Sequence, residues 1–121
     1  GDYSLKCYHT PITITDGAVV TVDKTMTLAL HGNGTSTDTS VSFGSNNSTL
    51  SLIGATLDVS NLVANTSFTH GTLRIDDKVT VAAGSRTLTL GGAGVSDLDL
   101  DIMPAARVVV SSGTVTYANA S

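Results

Sequence analysis

Aliphatic and hydroxyl residues alternate along most of the chain, and residues 71–94 show the pattern most clearly. Three short alternating runs lie there, at residues 72–75, 79–81 and 87–90, and each ends at a turn signal. A period of two places the aliphatic side chains on one face of a sheet and the threonines on the other. This stretch therefore predicts three half-buried strands.

The same pattern continues through the rest of the chain and predicts an all-β fold of about twelve short strands with almost no helix. Gly, Asn, Asp and Ser separate the runs, and Asp16-Gly17 is typical of a hairpin turn. The composition agrees, because the chain has no Glu or Gln, whereas Thr and Ser together make up 33 of its 121 residues. Further strands are predicted at residues 12–15, 19–22, 25–30, 41–43, 50–53, 56–59, 62–63, 95–102, 108–110 and 114–117.

An internal repeat relates two parts of the chain. Residues 20–34 match residues 79–94 at eight of fifteen positions with one gap, and a Thr-Leu-x-Leu motif begins at Thr27, Thr49 and Thr87. Short strands in a repeated order, with an aliphatic core that lacks Trp, favour a β-solenoid in which each coil buries its inward residues against the next.

The run from Gly71 through residues 79–81 to Gly84 resembles the coil pattern of right-handed β-helix proteins. Secreted adhesin passengers, phage fibre shafts and surface-layer or sheath proteins share such patterns. The resemblance implies a solenoid with a surface or fibre role. The Thr-Leu-x-Leu motifs are unevenly spaced, however, so a β-sandwich or jelly roll stays open as the alternative. We expect a single all-β domain over residues 1–121, with residues 1–11 as a candidate extended N-terminal arm.

Several function classes are disfavoured by the composition. The net charge is −4 and the six basic residues are scattered, which argues against a nucleic-acid partner. No apolar run approaches the roughly 18 residues that a membrane-spanning helix needs. The three histidines, His9, His31 and His70, lack metal-ligand spacing, and no nucleophile motif is present. We therefore predict that the protein is not an enzyme.

Asparagine provides the most informative local signal. Five of the six asparagines begin an Asn-x-Ser/Thr acceptor, more than the one or two that the Ser and Thr content would produce by chance. The pattern predicts a secreted glycoprotein with N-linked glycans on exposed loops, although asparagine in Ser/Thr-rich turns would also produce it. The predicted glycosylation sites are Asn33, Asn46, Asn47, Asn65 and Asn119.

Three aspartates, Asp97, Asp99 and Asp101, fall on one face of a single predicted strand. Such carboxylates could be oxygen ligands of Ca²⁺, the one cofactor that the sequence suggests. The spacing matches no calcium loop, and a solvated acidic face is the simpler interpretation. Threonine pairs such as Thr87/Thr89 and Thr114/Thr116 resemble the threonine ranks of flat ice-binding solenoids. They recur irregularly, so we expect ordinary outward threonines that do not form ranks in register.

The N-terminal stretch holds the candidate interchain residues. Cys7 is the only cysteine, so an intrachain disulfide is impossible, and an interchain bond or a buried thiol remains. A segment from Tyr3 to Thr15 could be donated to the sheet of a neighbouring copy, or could form the first strand of its own domain. The residues that would contact a neighbour are Cys7, Leu5, Tyr8, Ile12 and Ile14.

These observations together favour a structural function. We expect an extracellular subunit, at a cell or virion surface, that self-assembles into a filament, sheath or fibre through strand and edge contacts between its own copies. The alternative is an adhesin or receptor-binding β-module that recognises a glycan or a cell surface, although the chain has no Trp for stacking on a sugar.

Overall fold

The chain folds into a parallel β-solenoid of about four turns, as a computed structural model shows. The structure describes residues 3–8, 12–24, 26–32, 41–92 and 97–119. These residues contain no helix, and hence none that could cross a membrane. The predicted solenoid is confirmed, and the sandwich alternative is wrong because every strand pairing among these residues is parallel.

Twelve strands make up the described part of the solenoid. They are β1 (Tyr3–Tyr8), β2 (Ile12–Ile14), β3 (Val19–Val22), β4 (Met26–His31), β5 (Val41–Phe43), β6 (Thr49–Ile53), β7 (Thr56–Asn61), β8 (Thr66–Phe68), β9 (His70–Asp76), β10 (Lys78–Gly92), β11 (Asp97–Ile102) and β12 (Arg107–Asn119).

The strands form three faces around a narrow core. Face A contains β1, β4, β7 and the first parts of β10 and β12, in that order. Face C contains β3, β6, β9 and β11. Face B begins with the pair β2–β5 and continues with β8 and the second parts of β10 and β12. The rings of Phe43 and Phe68 pack edge to face at 5.9 Å where β5 meets β8.

The core consists of ladders of inward side chains that lie in register from coil to coil. The longest ladder is on face A. Its members are Leu5, Leu28, Leu57, Val81 and Val110, so successive coils advance by 23, 29, 24 and 29 residues. The coil length varies because the connections at the corners differ in length, and this explains the uneven spacing in the sequence.

The sequence repeat is real as a motif, but it does not correspond to one coil. The Thr-Leu-x-Leu motif at Thr27 lies on β4 of face A, the one at Thr49 on β6 of face C, and the one at Thr87 in the face B part of β10. In each copy the two leucines point inward and are buried. The motif therefore specifies one face of the solenoid, and any of the three faces can use it.

The structure corrects several local predictions. Asp16-Gly17 is a corner between the parallel strands β2 and β3, and so does not form a hairpin turn. Residues 62–63, predicted as a strand, form another corner, and residues 79–81 and 87–90 belong to one strand that bends. Strand β8 was not predicted, since polar residues interrupt its alternation, and β1 lies in the stretch that the sequence offered either as a donated segment or as the first strand of its own domain.

Glycine is required where two coils approach closely at Gly71. Its φ is +79°, and an added Cβ would lie 2.5 Å from both Phe43 Cδ1 and the Ser48 carbonyl oxygen. Gly17 has a similar φ of +76°, but its Cβ would meet nothing within 4 Å. The two positions thus share the same conformational strain, and only Gly71 adds a steric clash.

We predict that Gly71→Ala lowers the free energy of unfolding by about 3 kcal/mol or more, whereas Gly17→Ala lowers it by about 1–2 kcal/mol. The smaller value is the left-handed strain alone, and the difference is the clash with the neighbouring coil. Urea unfolding followed by circular dichroism measures both. Equal losses in the two variants would contradict the proposed close approach of the coils.

Candidate functional site

Exposed apolar side chains concentrate at the two ends of the solenoid. Nine large hydrophobic residues are exposed in the described part of the chain, and eight of them lie on β1, β3, β11 or β12. These strands belong to the first and last coils, and each pairs on one side only within the described ranges. The eight residues are Tyr3, Leu5, Tyr8, Val19, Ile102, Val108, Val110 and Tyr117.

The C-terminal end opens into an apolar cavity of about 190 Å³. Its walls are inward side chains that range from Leu52 on β6 to Val115 on β12, and the exposed residues Ile102, Val108 and Tyr117 form its rim. Val108 is 38% exposed and Val110 is 43% exposed, whereas their ladder partners Val79 and Val81 on β10 are 0% and 5% exposed. The same ladder positions are therefore sealed one coil earlier and open at the end.

The N-terminal end is open on face A and closed on the other two faces. On β1, Tyr3 is 70% exposed and Leu5 is 42% exposed, and both occupy inward ladder positions over Met26 and Leu28. Ile14 on β2 and Val22 on β3 are only 1% and 3% exposed, although they also belong to the first coil. The exposed inward apolar side chains at this end therefore lie on β1, whereas the exposed Val19 of β3 alternates to the outer side.

Both terminal strands of face A thus combine exposed inward apolar side chains with an edge that no strand of the described residues pairs. The edge of β1 and the edge of β12 each offer backbone N–H and C=O groups in the direction of the solenoid axis. Within the chain, equivalent edges are covered by the next parallel strand. Chemically, this arrangement can add a further strand and can bury aliphatic side chains against it.

The predicted interchain residues divide between these environments. Leu5 and Tyr8 are exposed on β1, and the Tyr8 ring lies 4.5 Å from the ring of His31. Cys7 is free and partly buried, and burial raises the pKa of its thiol. Ile12 and Ile14 lie on β2, pair with β5 and pack in or against the core of their own chain. Strands β1 and β2 therefore each pair with a strand of their own chain.

The prediction from the sequence did not include the residues of the C-terminal half of this site. Ile102, Val108, Val110 and Tyr117 appear in the sequence as ordinary alternating positions of predicted strands. Their exposure follows from which strand is the last in each face, and this depends on the coil path. Only the register of the ladders could have identified them, and the uneven coil length conceals that register in the sequence.

Two predicted glycosylation sites lie at one corner between faces B and C. Asn46 and Asn47 are exposed in the turn that joins β5 to β6. Asn47 Nδ2, the atom that would carry a glycan, donates a hydrogen bond of 3.2 Å to Asp16 Oδ1. Ser48, the hydroxyl residue of the Asn46 acceptor, is fully buried, and its Oγ donates to the carbonyl oxygens of Ile14 and Thr15.

Asn65 lies in a different environment, at a corner between faces A and B. It is exposed, and its Oδ1 accepts a hydrogen bond of 2.9 Å from the Thr87 backbone N–H. This bond fixes the side chain by its oxygen, and Ser67 of the same acceptor is exposed. Asn33 and the side chain of Asn119 fall outside the described part of the chain.

The acidic row lies on the outer side of β11. Asp99 and Asp101 are exposed and lie in register with Thr72 and Arg74 of β9, and the side chain of Asp97 is outside the description. Across the described ranges, no group of three His, Cys, Asp or Glu side chains is placed to hold a metal ion. A calcium role for these three aspartates stays a prediction.

Two of the threonine pairs do lie in register, contrary to the expectation from the sequence. Thr87 pairs with Thr114 and Thr89 pairs with Thr116, so the four form a two-by-two array on face B. Ser67 precedes Thr89 in the same column. The irregular spacing misled the prediction because the corners, and not the strands, absorb the differences in coil length.

No family model matches the chain, and no match was found among the curated proteins or among the solved structures. The site must therefore be interpreted from its own geometry.

The corner that holds Asn47 provides a pH-dependent prediction. The Ser45 hydroxyl donates to Asp16 Oδ1 at 2.6 Å, and together with the Asn47 amide it holds the pKa of that carboxyl below its ordinary value of 3.8. Because the folded pKa is lowered, the contribution to stability is present above pH 3.8 and is lost as the pH falls through the folded pKa.

We expect Ser45→Ala to raise the pKa of Asp16 towards its ordinary value, since the variant removes the shorter of the two hydrogen bonds. Titration of the Asp16 carboxyl carbon by NMR measures the change. The same titration in the unchanged protein is the reference. An unchanged Asp16 titration in the variant would contradict the assigned cause.

Proposed function

We propose that the protein is an extracellular structural subunit that self-assembles through the strand edges at the ends of its solenoid. The observation that carries the proposal is the concentration of exposed apolar side chains on β1, β3, β11 and β12. Monomeric soluble proteins rarely leave a large contiguous apolar patch uncovered, and such patches mark interaction sites.

The sides of the solenoid differ from its ends. Outward positions on the faces are mostly Thr, Ser and Asp, as on Thr13, Ser42, Ser67 and Asp58, and they offer little apolar area for a partner. Contacts at the ends therefore cover the most apolar surface for a given contact area. Subunits that bind one another through their ends form a linear assembly, which favours a filament or fibre over a closed oligomer.

A surface location is supported by the acceptor asparagines. Asn46, Asn47 and Asn65 are exposed at corners along the sides, so glycans there would leave the edges of β1 and β12 uncovered. Glycosylation and end-to-end assembly are thus compatible on one molecule. A cell surface or a virion surface would both suit such a subunit.

The first test is assembly itself. We expect the protein to form higher oligomers whose mass rises with concentration, measured by light scattering after size exclusion, and filaments in negative-stain micrographs. Val110→Asp should abolish them, because it would place a charge against apolar walls in the contact. Asn61→Asp adds the same charge at an exposed corner position away from both ends and should assemble as the unchanged protein does.

Circular dichroism melting establishes that Val110→Asp remains folded. A protein that stays monomeric at every concentration tested would overturn the proposal. Filaments from Val110→Asp that match those of Asn61→Asp would show that the C-terminal end is not the contact.

The second test addresses glycosylation. In a host that N-glycosylates secreted proteins, we expect an intact mass above that of the bare polypeptide, with Asn65 occupied. Asn65→Gln should remove one glycan mass. Asn61→Gln should leave the mass unchanged apart from the substitution, because Asn61 begins no acceptor motif. A mass equal to the bare polypeptide would reject the glycoprotein assignment.

A further inference from the structure

The geometry points to a polar, head-to-tail contact in which β1 of a second copy adds parallel to β12, with Leu5 in register with Val110. This inference rests on the proposed function and specifies its partner and its direction. Three features of the molecule support this contact. They are the inward ladders of face A, the different apolar surfaces at the two ends, and the unequal faces, which a two-fold contact would not match.

A second copy at the C-terminal end would continue the contacts that the coils make with one another. On face A, Leu5, Leu28, Leu57, Val81 and Val110 occupy one register position in five successive strands. A second copy translated along the axis would place its Leu5 over Val110, as Val110 lies over Val81. The new contact would therefore reuse an interface that the chain already forms between its own coils.

The open surfaces at the N-terminal and C-terminal ends complement each other. The C-terminal end has a cavity of about 190 Å³ whose rim includes Val108 and Tyr117. On β1 of the N-terminal end, Tyr3 and Leu5 are inward-directed and exposed, while the inward residues Ile14 on β2 and Val22 on β3 are buried. One end thus has apolar side chains to insert, and the other has apolar space to receive them.

The symmetry of the contact also favours a head-to-tail arrangement. A translated copy keeps its strands parallel to those below and superposes all three faces. A two-fold contact between identical ends would reverse the strands, and it could superpose at most one face on itself while exchanging the other two. The C-terminal end presents the 13-residue β12 across faces A and B and the six-residue β11 on face C, so an exchange of face C with either other face would pair strands of unequal length.

Two variants, each blocked at one end, test the direction of the contact. Leu5→Asp disables the N-terminal end and leaves Val110 intact, and Val110→Asp does the reverse. Each variant alone should be monomeric, and its dissociation constant should rise by at least about tenfold over that of the unchanged protein. An equimolar mixture should form a one-to-one dimer that grows no further, measured by native mass spectrometry.

The alternatives have distinct signatures. Dimers of Leu5→Asp alone, or of Val110→Asp alone, would reveal a contact between like ends and would overturn the inference while leaving self-assembly intact. Absence of assembly in the unchanged protein would instead reject the proposed function. Assembly that survives in both variants alone would show that the contact lies elsewhere. Melting curves of both variants confirm that they are folded.

Cross-linking tests the register in a Cys7→Ser background. Copies that carry Leu5→Cys, mixed with copies that carry Val110→Cys, should form a mixed disulfide dimer under mild oxidation, because neighbouring strands bring paired positions within disulfide range. Val109→Cys is the matched control, since its side chain alternates to the outer side of the strand. Equal yields from positions 109 and 110 would overturn the register, and homodimers of Leu5→Cys would overturn the direction.

Discussion

The coil-to-coil register of the inward side chains is the constraint on which the rest of this structure depends. A solenoid strand buries its aliphatic residues only when the strands before and after it present aliphatic residues at the same position. Leu28, Leu57 and Val81 have partners on both sides and are 0%, 1% and 5% exposed, whereas Leu5 and Val110 have one partner each and are 42% and 43% exposed. The inward side chains of a terminal strand therefore stay partly exposed until a further strand covers them.

Much of the architecture could be predicted from the sequence because strand character is local. Alternation identified most strands, and the shortage of helix formers excluded other classes. The Thr-Leu-x-Leu motif marked inward leucines correctly in all three copies, at Leu28, Leu50 and Leu88. What the motif could not reveal was the face on which each copy lies, because that depends on corner lengths, and corner residues such as Asp16-Gly17 are equally suited to a hairpin.

The site was harder to predict, for the same reason. The N-terminal residues Leu5, Tyr8 and Cys7 attracted attention because they lie outside the repeated pattern. Val108, Val110 and Tyr117 conform to the pattern, and their significance lies only in having no strand beyond them in the described part of the chain. A local pattern can identify an inward residue, but it cannot show whether the next coil covers it.

The energetics favour a reversible contact through face A. Covering a Val or Leu side chain completely is worth about 1.5–3 kcal/mol, and Leu5, Val108 and Val110 have only part of their surface left to bury. Backbone hydrogen bonds along the added strand contribute about 1 kcal/mol each, against an association cost of about 4 kcal/mol or more. The net free energy of association is therefore small. The contact should depend on protein concentration and on correct register between the two strands.

The acidic row lies on an edge that a stacked copy would also cover. On β11, Asp99 and Asp101 are exposed along the last edge of face C, and a stacked copy would place Val19 and Thr21 of its β3 beside them in the continued register. Neither residue offers a positive charge, so face C would gain little there, and charged residues on a sheet edge disfavour unspecific strand addition. Face A instead has Val109 and Val110 in register with Thr80 and Val81 of β10. A stacked copy would therefore gain apolar contact where Leu5 meets Val110, while the exposed carboxylates on face C would disfavour unspecific partners.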